Sequence, residues 1–153
     1  MAQYFSVHPE NPQTRLIRHA VDIIRAGGVI AYPTDSSYAL GCRIADAPAA
    51  ERIRALRRVD DKHHLTLVCG DLAEAGRYVQ LDNWQFRIVK EGVPGSFTFL
   101  LPASRDVPRR LKHPRRKTIG IRVPDHAVVR ALLSSSANPS FHRPLFRRAL
   151  PNR

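Results

Sequence analysis

Gly27-Gly28-Val29-Ile30-Ala31-Tyr32-Pro33-Thr34-Asp35-Ser36-Ser37-Tyr38-Ala39-Leu40-Gly41 is the stretch whose reading decides the fold. Upstream of it, Asn11-Pro12 gives a helix-start signal. Leu16, Ala20, Ile23, Ile24 and Ala26 then recur at helical spacing until the glycine pair ends the pattern. Val29 to Tyr32 is a continuous apolar run closed by Pro33, which predicts a buried strand. Thr34 to Gly41 reads as the loop that the strand delivers to the surface. A helix feeding a buried strand through a glycine turn is a building unit of layered α/β domains.

Working outward, Gln3–Val7 predicts a short edge strand, and Asp46-Ala47-Pro48 opens a second helix with Ala49, Ile53 and Leu56 on one face. Leu65–Cys69 predicts a strand, and Asp71 caps a short helix through Ala75. Asn83–Lys90 reads as a helix with Trp84, Ile88 and Phe86 turned inward. Pro94-Gly95 predicts a turn before the strand Phe97–Leu101. Lys117–Val123 is the last clear strand, and Pro124-Asp125 begins a helix carrying Val128, Val129, Leu132 and Leu133. Strands and helices mixed in this way predict an α/β (α+β) domain with a twisted mixed sheet and flanking helices.

A chain of 153 residues with 43% hydrophobic content fills a single core. No stretch approaches the roughly 18 apolar residues that cross a bilayer, and Met1-Ala2-Gln3-Tyr4-Phe5-Ser6 lacks a basic segment followed by an apolar run. The expectation is a soluble, cytoplasmic protein without a membrane partner. Cys42 and Cys69 stand apart from each other and from any metal-ligand spacing, so both read as buried thiols. Twenty-five Lys and Arg against thirteen acids give +12, which favours polyanions such as RNA or nucleotide phosphates.

Four places carry chemistry. The loop Thr34–Gly41 concentrates hydroxyls, a carboxylate and a phenol beyond a buried strand; it reads either as a small-molecule site or as a turn whose Asp35 and Ser36 satisfy backbone donors. Arg122, inside the apolar run Ile119–Val123, requires a rim position or an anionic partner, and the partner is favoured. Thr98 alternates with Phe97 and Phe99, so its hydroxyl faces either a cleft or solvent. Arg105–Lys117 holds Arg109, Arg110, Arg115, Arg116 and Lys117, which reads as an RNA-backbone surface or as a solvated basic connection. His63 and His64 have no positioned nucleophile beside them and read as a solvated loop. There is no glycine-rich phosphate loop of the Walker or dinucleotide kind.

Taken together, the loop Pro33–Gly41, the stretch Pro94-Gly95-Ser96-Phe97-Thr98-Phe99-Leu100-Leu101 and Arg122-Val123-Pro124 resemble the YrdC/YciO family in order and spacing, over roughly residues 5 to 133. Arg52-Ile53-Arg54-Ala55-Leu56-Arg57, His63-His64-Leu65-Thr66-Leu67, Asp82-Asn83, Phe86-Arg87 and Lys117-Thr118-Ile119-Gly120 are similar to the wording of the YciO branch. The resemblance implies a YrdC/RibB-like sheet with a basic concave cleft. It also implies the synthase reaction of L-threonine, bicarbonate and ATP to threonylcarbamoyl-AMP and pyrophosphate, which serves tRNA modification. No tightly bound cofactor is implied, and Mg²⁺ would enter with ATP. Carried over by position, Thr34 and Tyr38 would line the threonine pocket with Thr98, Arg57 would face phosphates, and Arg122 would meet a carboxylate or phosphate; no residue is implied as a nucleophile. Where the synthases carry Lys-x-Arg and then Pro-Leu, this chain has Arg57, Val59, His64 and Leu65. The alternative is a non-catalytic module of the same fold that binds double-stranded RNA or a nucleotide. Beyond Leu133 the family pattern breaks into Pro, Arg and Ser without periodicity. Residues 1–133 are therefore expected to form an incomplete domain and 134–153 an aberrant tail without order, as a frameshift near Ser134 would produce.

Overall fold

A computed structural model describes residues 1–60, 63, 65–136 and 145–147. Helix α1 (Thr14–Arg25) buries Ile17, Val21 and Ile24 and ends before Gly27, which adopts φ +85°. Of the residues its spacing singles out only Ile24 is buried; Leu16, Ala20 and Ile23 are half-buried and Ala26 is exposed, so the inward face is offset by one residue from the expected one. Strand β1 (Ile30–Pro33) turns directly into β2 (Tyr38–Gly41), its antiparallel partner, with Tyr32 opposite Ala39 and Pro33 opposite Tyr38. The predicted loop is thus only the four-residue turn 34–37; its second half is a strand. Ala39 and Gly41 are buried while Tyr38 is exposed, a short alternation that the surrounding hydroxyls mask in the sequence.

Helix α2 (Ala47–Arg57) starts at Asp46, whose carboxylate accepts the Ala49 N–H at 2.9 Å, and ends at Arg58 in the left-handed region. Ala49 and Ile53 are buried as expected, but Leu56 is exposed. Strand β3 (Thr66–Val68) is followed by α3 (Leu72–Tyr78), capped by Asp71, and α4 (Asn83–Glu91), which begins with a reciprocal Asp82–Gln85 capping box. Val89 is the buried residue of α4; Trp84, Phe86 and Ile88, expected inside, are exposed. Their apolarity misled the inward assignment, because α4 meets the core along a narrow stripe only. β4 (Phe99–Pro102), β5 (Thr118–Arg122) and α5 (Ala127–Ser136) complete the run of regular elements up to residue 136. Gln3–Val7 forms no strand.

Two sheets result. One is the β1–β2 hairpin; the other has the order β4-β5-β3-β6, where β6 is Leu145–Arg147. β3 and β5 are parallel, and β4 and β6 lie antiparallel on either side. The expectation of a tail without order from residue 134 therefore fails at two places: α5 continues to Ser136, and 145–147 pair with β3. An open β3 edge supplies the backbone partners such a short segment needs. The remainder of the tail, together with His64, lies outside the described residues.

Alternation in the larger sheet separates two cores. Leu65, Leu67, Ile119, Ile121 and Leu101 face α2, α3 and α4. Val68 faces the other way, toward α1, α5, Tyr32 and Ala39. Among the described residues no helix is long and apolar enough to cross a membrane.

Candidate functional site

The turn between β1 and β2 is closed from within. Thr34 donates its N–H to the Ser37 carbonyl at 3.0 Å and its hydroxyl to the same oxygen at 2.6 Å. Its Oγ1 in turn accepts the N–H groups of Ser36 (3.3 Å) and Ser37 (3.2 Å). The hydroxyl is therefore consumed in holding the turn, the local competition with regular structure that Thr and Ser side chains offer.

Arg122 ends β5 at the carboxyl end of the parallel pair, where its carbonyl accepts the Cys69 N–H at 2.9 Å. It is 2% exposed. The anionic partner expected of it is the chain's own Asp35: Arg122 Nη2 donates to Asp35 Oδ1 and, at 3.0 Å, to Ser36 Oγ. The other Asp35 oxygen accepts the Asp125 N–H at 3.1 Å, and Asp125 pairs with Arg130 at 2.7 Å. Arg122 is thus a paired cation rather than a free one, and its buried Nε–H has no partner among the described residues. One carboxylate ties the hairpin turn to the β5–α5 connection across 87 and 90 residues of chain.

Thr98 precedes β4 and is exposed; Gly120, two residues before Arg122, lies on the same face as Arg122. A β-carbon on Gly120 would lie 2.7 Å from Thr66 Oγ1 and 3.2 Å from Thr98 Cγ2, so these two threonines converge over it. Thr66 was not singled out from the sequence. The signal available was a hydroxyl between two core leucines, which alternation places on the face opposite them.

The structure therefore brings Thr34, Arg122 and Thr98 to one face and adds Asp35, Ser36 and Thr66. Tyr38 stands beside the turn, 65% exposed. Arg57 closes α2, which packs on the opposite face of the sheet, and it has no hydrogen bond or ion pair among the described residues. The basic segment lies at the other end of β5, ~13 Å along the strand from Arg122. Within it Arg110 donates to the Ile44 carbonyl (2.7 Å) while its own carbonyl accepts from Arg54 (3.2 Å), and Lys117 donates to the Pro114 carbonyl (2.6 Å). Arg109, Arg115 and Arg116 are exposed. His63 is exposed and pairs with Asp60 at 2.8 Å.

Neither thiol is poised for attack. Burial pushes Cys42 up to about 12, reinforced by Asp46 and opposed by Arg110. Burial likewise pushes Cys69 well up, with Glu74 and Asp71 adding to it. Protonated thiols are weak nucleophiles. The arrangement is one of donors and acceptors fixed in place, which acts by binding and orientation.

Comparison with known proteins agrees with this architecture. The Sua5_yciO_yrdC family model, described as telomere recombination, matches residues 22–147. YciO of Escherichia coli strain K12 is 52% identical over 139 residues, covering 91% of this chain and 68% of that protein. A threonylcarbamoyl-AMP synthase of Halorhodospira halophila is 36% identical over 137 residues, covering 84% and 71%. The crystal structure of E. coli YciO superposes with a TM-score of 0.91 at 49% identity, over 98% of this chain and 70% of that one. P. abyssi Sua5 complexed with L-threonine gives 0.79 at 25% identity, over 92% and 40%. An α/β sheet with this hairpin, this parallel pair and these relatives makes the chain a member of the Sua5/YciO/YrdC family.

Proposed function

We propose that the chain acts as a threonylcarbamoyl-AMP synthase-type protein, condensing L-threonine, bicarbonate and ATP to threonylcarbamoyl-adenylate, pyrophosphate and water for tRNA modification. The observation that carries this reading is the hydroxyl-rich turn pinned by Asp35 and Arg122 at the carboxyl end of parallel strands, the position where open α/β sheets bind ligands. A threonine zwitterion matches a serine-bearing turn beside an oppositely charged pair. In this reading Thr34 shapes the pocket, Tyr38 and Thr98 border it, and the ATP–Mg²⁺ complex enters beside it. Catalysis then comes from orientation and charge neutralisation, with no protein nucleophile. A reaction fed by ATP and bicarbonate belongs in the cytoplasm.

The test is pyrophosphate release from ATP with L-threonine and bicarbonate, each omitted in turn. Release that requires all three is expected; release indifferent to L-threonine would sink the reading. The second reading, a non-catalytic RNA- or nucleotide-binding module, is favoured by the exposed Arg109, Arg115 and Arg116 at the far end of β5. Salt-sensitive RNA binding without threonine-dependent pyrophosphate release would select it.

A further inference from the structure

We propose that Asp35 is the specificity-determining residue of this site: it neutralises Arg122, so that the turn takes uncharged or once-charged oxygen groups and turns polyphosphate away. The inference rests on the reading that the turn receives the small substrate, and deepens it.

A lone guanidinium at the end of parallel strands is a phosphate receptor. Arg122 is not alone. Its Nη2 is bonded to Asp35 and Ser36, and the second Asp35 oxygen is occupied by the Asp125 N–H. The pair carries no net charge and both carboxylate oxygens are in use. Asp35 is the more exposed of the two side chains, 14% against 3%, so a phosphate arriving from solvent meets the carboxylate at least as readily as the guanidinium and the attraction is offset. Dipoles remain at the turn, the half-buried Ser37 hydroxyl among them. Those suit a carboxylate, carbamate or hydroxyl. Polyphosphate is left to cations outside the pair. Asp35 also fixes where the turn sits, since its two oxygens bond Arg122 and the Asp125 amide. It is a positioning residue as well as a charge filter.

Asp35→Asn preserves shape and an acceptor for Arg122 while leaving a buried cation uncompensated. Calorimetric titration of the full chain with inorganic pyrophosphate is expected to show about tenfold tighter binding by D35N than by the wild type, the gain vanishing at high salt. A merely structural role for Asp35 predicts no gain. Pyrophosphate affinities within twofold of each other, in a D35N protein that still melts cooperatively, would overturn the proposal. If D35N fails to fold, wild-type chain labelled with ¹⁵N-arginine decides: the Arg122 side-chain resonances, identified by their disappearance in R122K, should stay in place at saturating pyrophosphate, and a saturable shift overturns the proposal. A parallel titration of the wild type with L-threonine tests the underlying reading separately. Absence of threonine binding would remove the substrate assignment, while the pyrophosphate comparison still decides what Asp35 does.

Discussion

An ideal β-carbon on Gly120 would meet Thr66 Oγ1 at 2.7 Å, the Leu65 carbonyl at 3.0 Å and Thr98 Cγ2 at 3.2 Å. The threonine hydroxyl can rotate away; the carbonyl belongs to the backbone entering β3 and cannot. Gly120→Ala is therefore expected to destabilise the fold by about 2 kcal/mol through overpacking, read as a lower urea midpoint with an unchanged slope. It should also separate Thr66 from Thr98. An unchanged midpoint would mean that the two threonines do not converge as described. Much of this site is legible residue by residue, up to a physical limit. An arginine within Ile119–Val123 announces that it needs an anion, because a buried guanidinium without one is costly. That the anion is Asp35 is a statement about a partner 87 residues away, which no local pattern encodes. Sequence reasoning accordingly assigns to a ligand a bond that the chain makes with itself. Thr34 shows the converse: its hydroxyl belongs to the turn, one of the two roles its loop allows.

At the scale of elements, periodicity performs well wherever a whole face is buried. α1, α2, α5 and the strands β3 and β5 stand where their apolar spacing puts them. Caps are equally readable: Asp46 before Ala47-Pro48 and Asp71 before Leu72 both accept a backbone N–H three residues on. The other Asp46 oxygen lies 3.1 Å from where a β-carbon on Gly27 would sit, so the α2 cap stands close to the α1–β1 turn. Asp46→Ala should then cost about 1 kcal/mol in a denaturant titration. Asp46→Asn should recover most of that stability, because the amide oxygen still accepts; equal destabilisation by the two variants would contradict the capping role. Legibility fails at β2 and at α4. β2 is four residues long with hydroxyls leading into it, too short for alternation to register. α4 carries Trp84, Phe86 and Ile88 outward, and a burial pattern set by neighbours rather than by the helix itself cannot be read from apolarity.

Across the whole molecule the charge of +12 is not gathered at the site. Arg122 is cancelled by Asp35, and Arg54 is paired with Glu51 at 2.6 Å. Arg110 and Lys117 are engaged with backbone carbonyls, so the exposed cations of the Arg105–Lys117 segment include Arg109, Arg115 and Arg116, at the end of β5 away from Arg122. If RNA meets this chain through that segment, the RNA surface and the small-molecule site are physically separate and separable by mutation. Replacing Arg109, Arg115 and Arg116 together by Gln removes three positive charges without touching a core side chain. In filter-binding titrations across a salt series, the log–log slope of RNA affinity should flatten by about 2 to 3, one counterion's worth for each phosphate that is no longer neutralised. Calorimetric affinity for L-threonine should stay within twofold of the wild type, because none of the three residues bonds to Asp35, Arg122 or the 34–37 turn. An unchanged salt slope would move any RNA contact to another face. A fall in threonine affinity would show instead that the two ends of β5 are coupled.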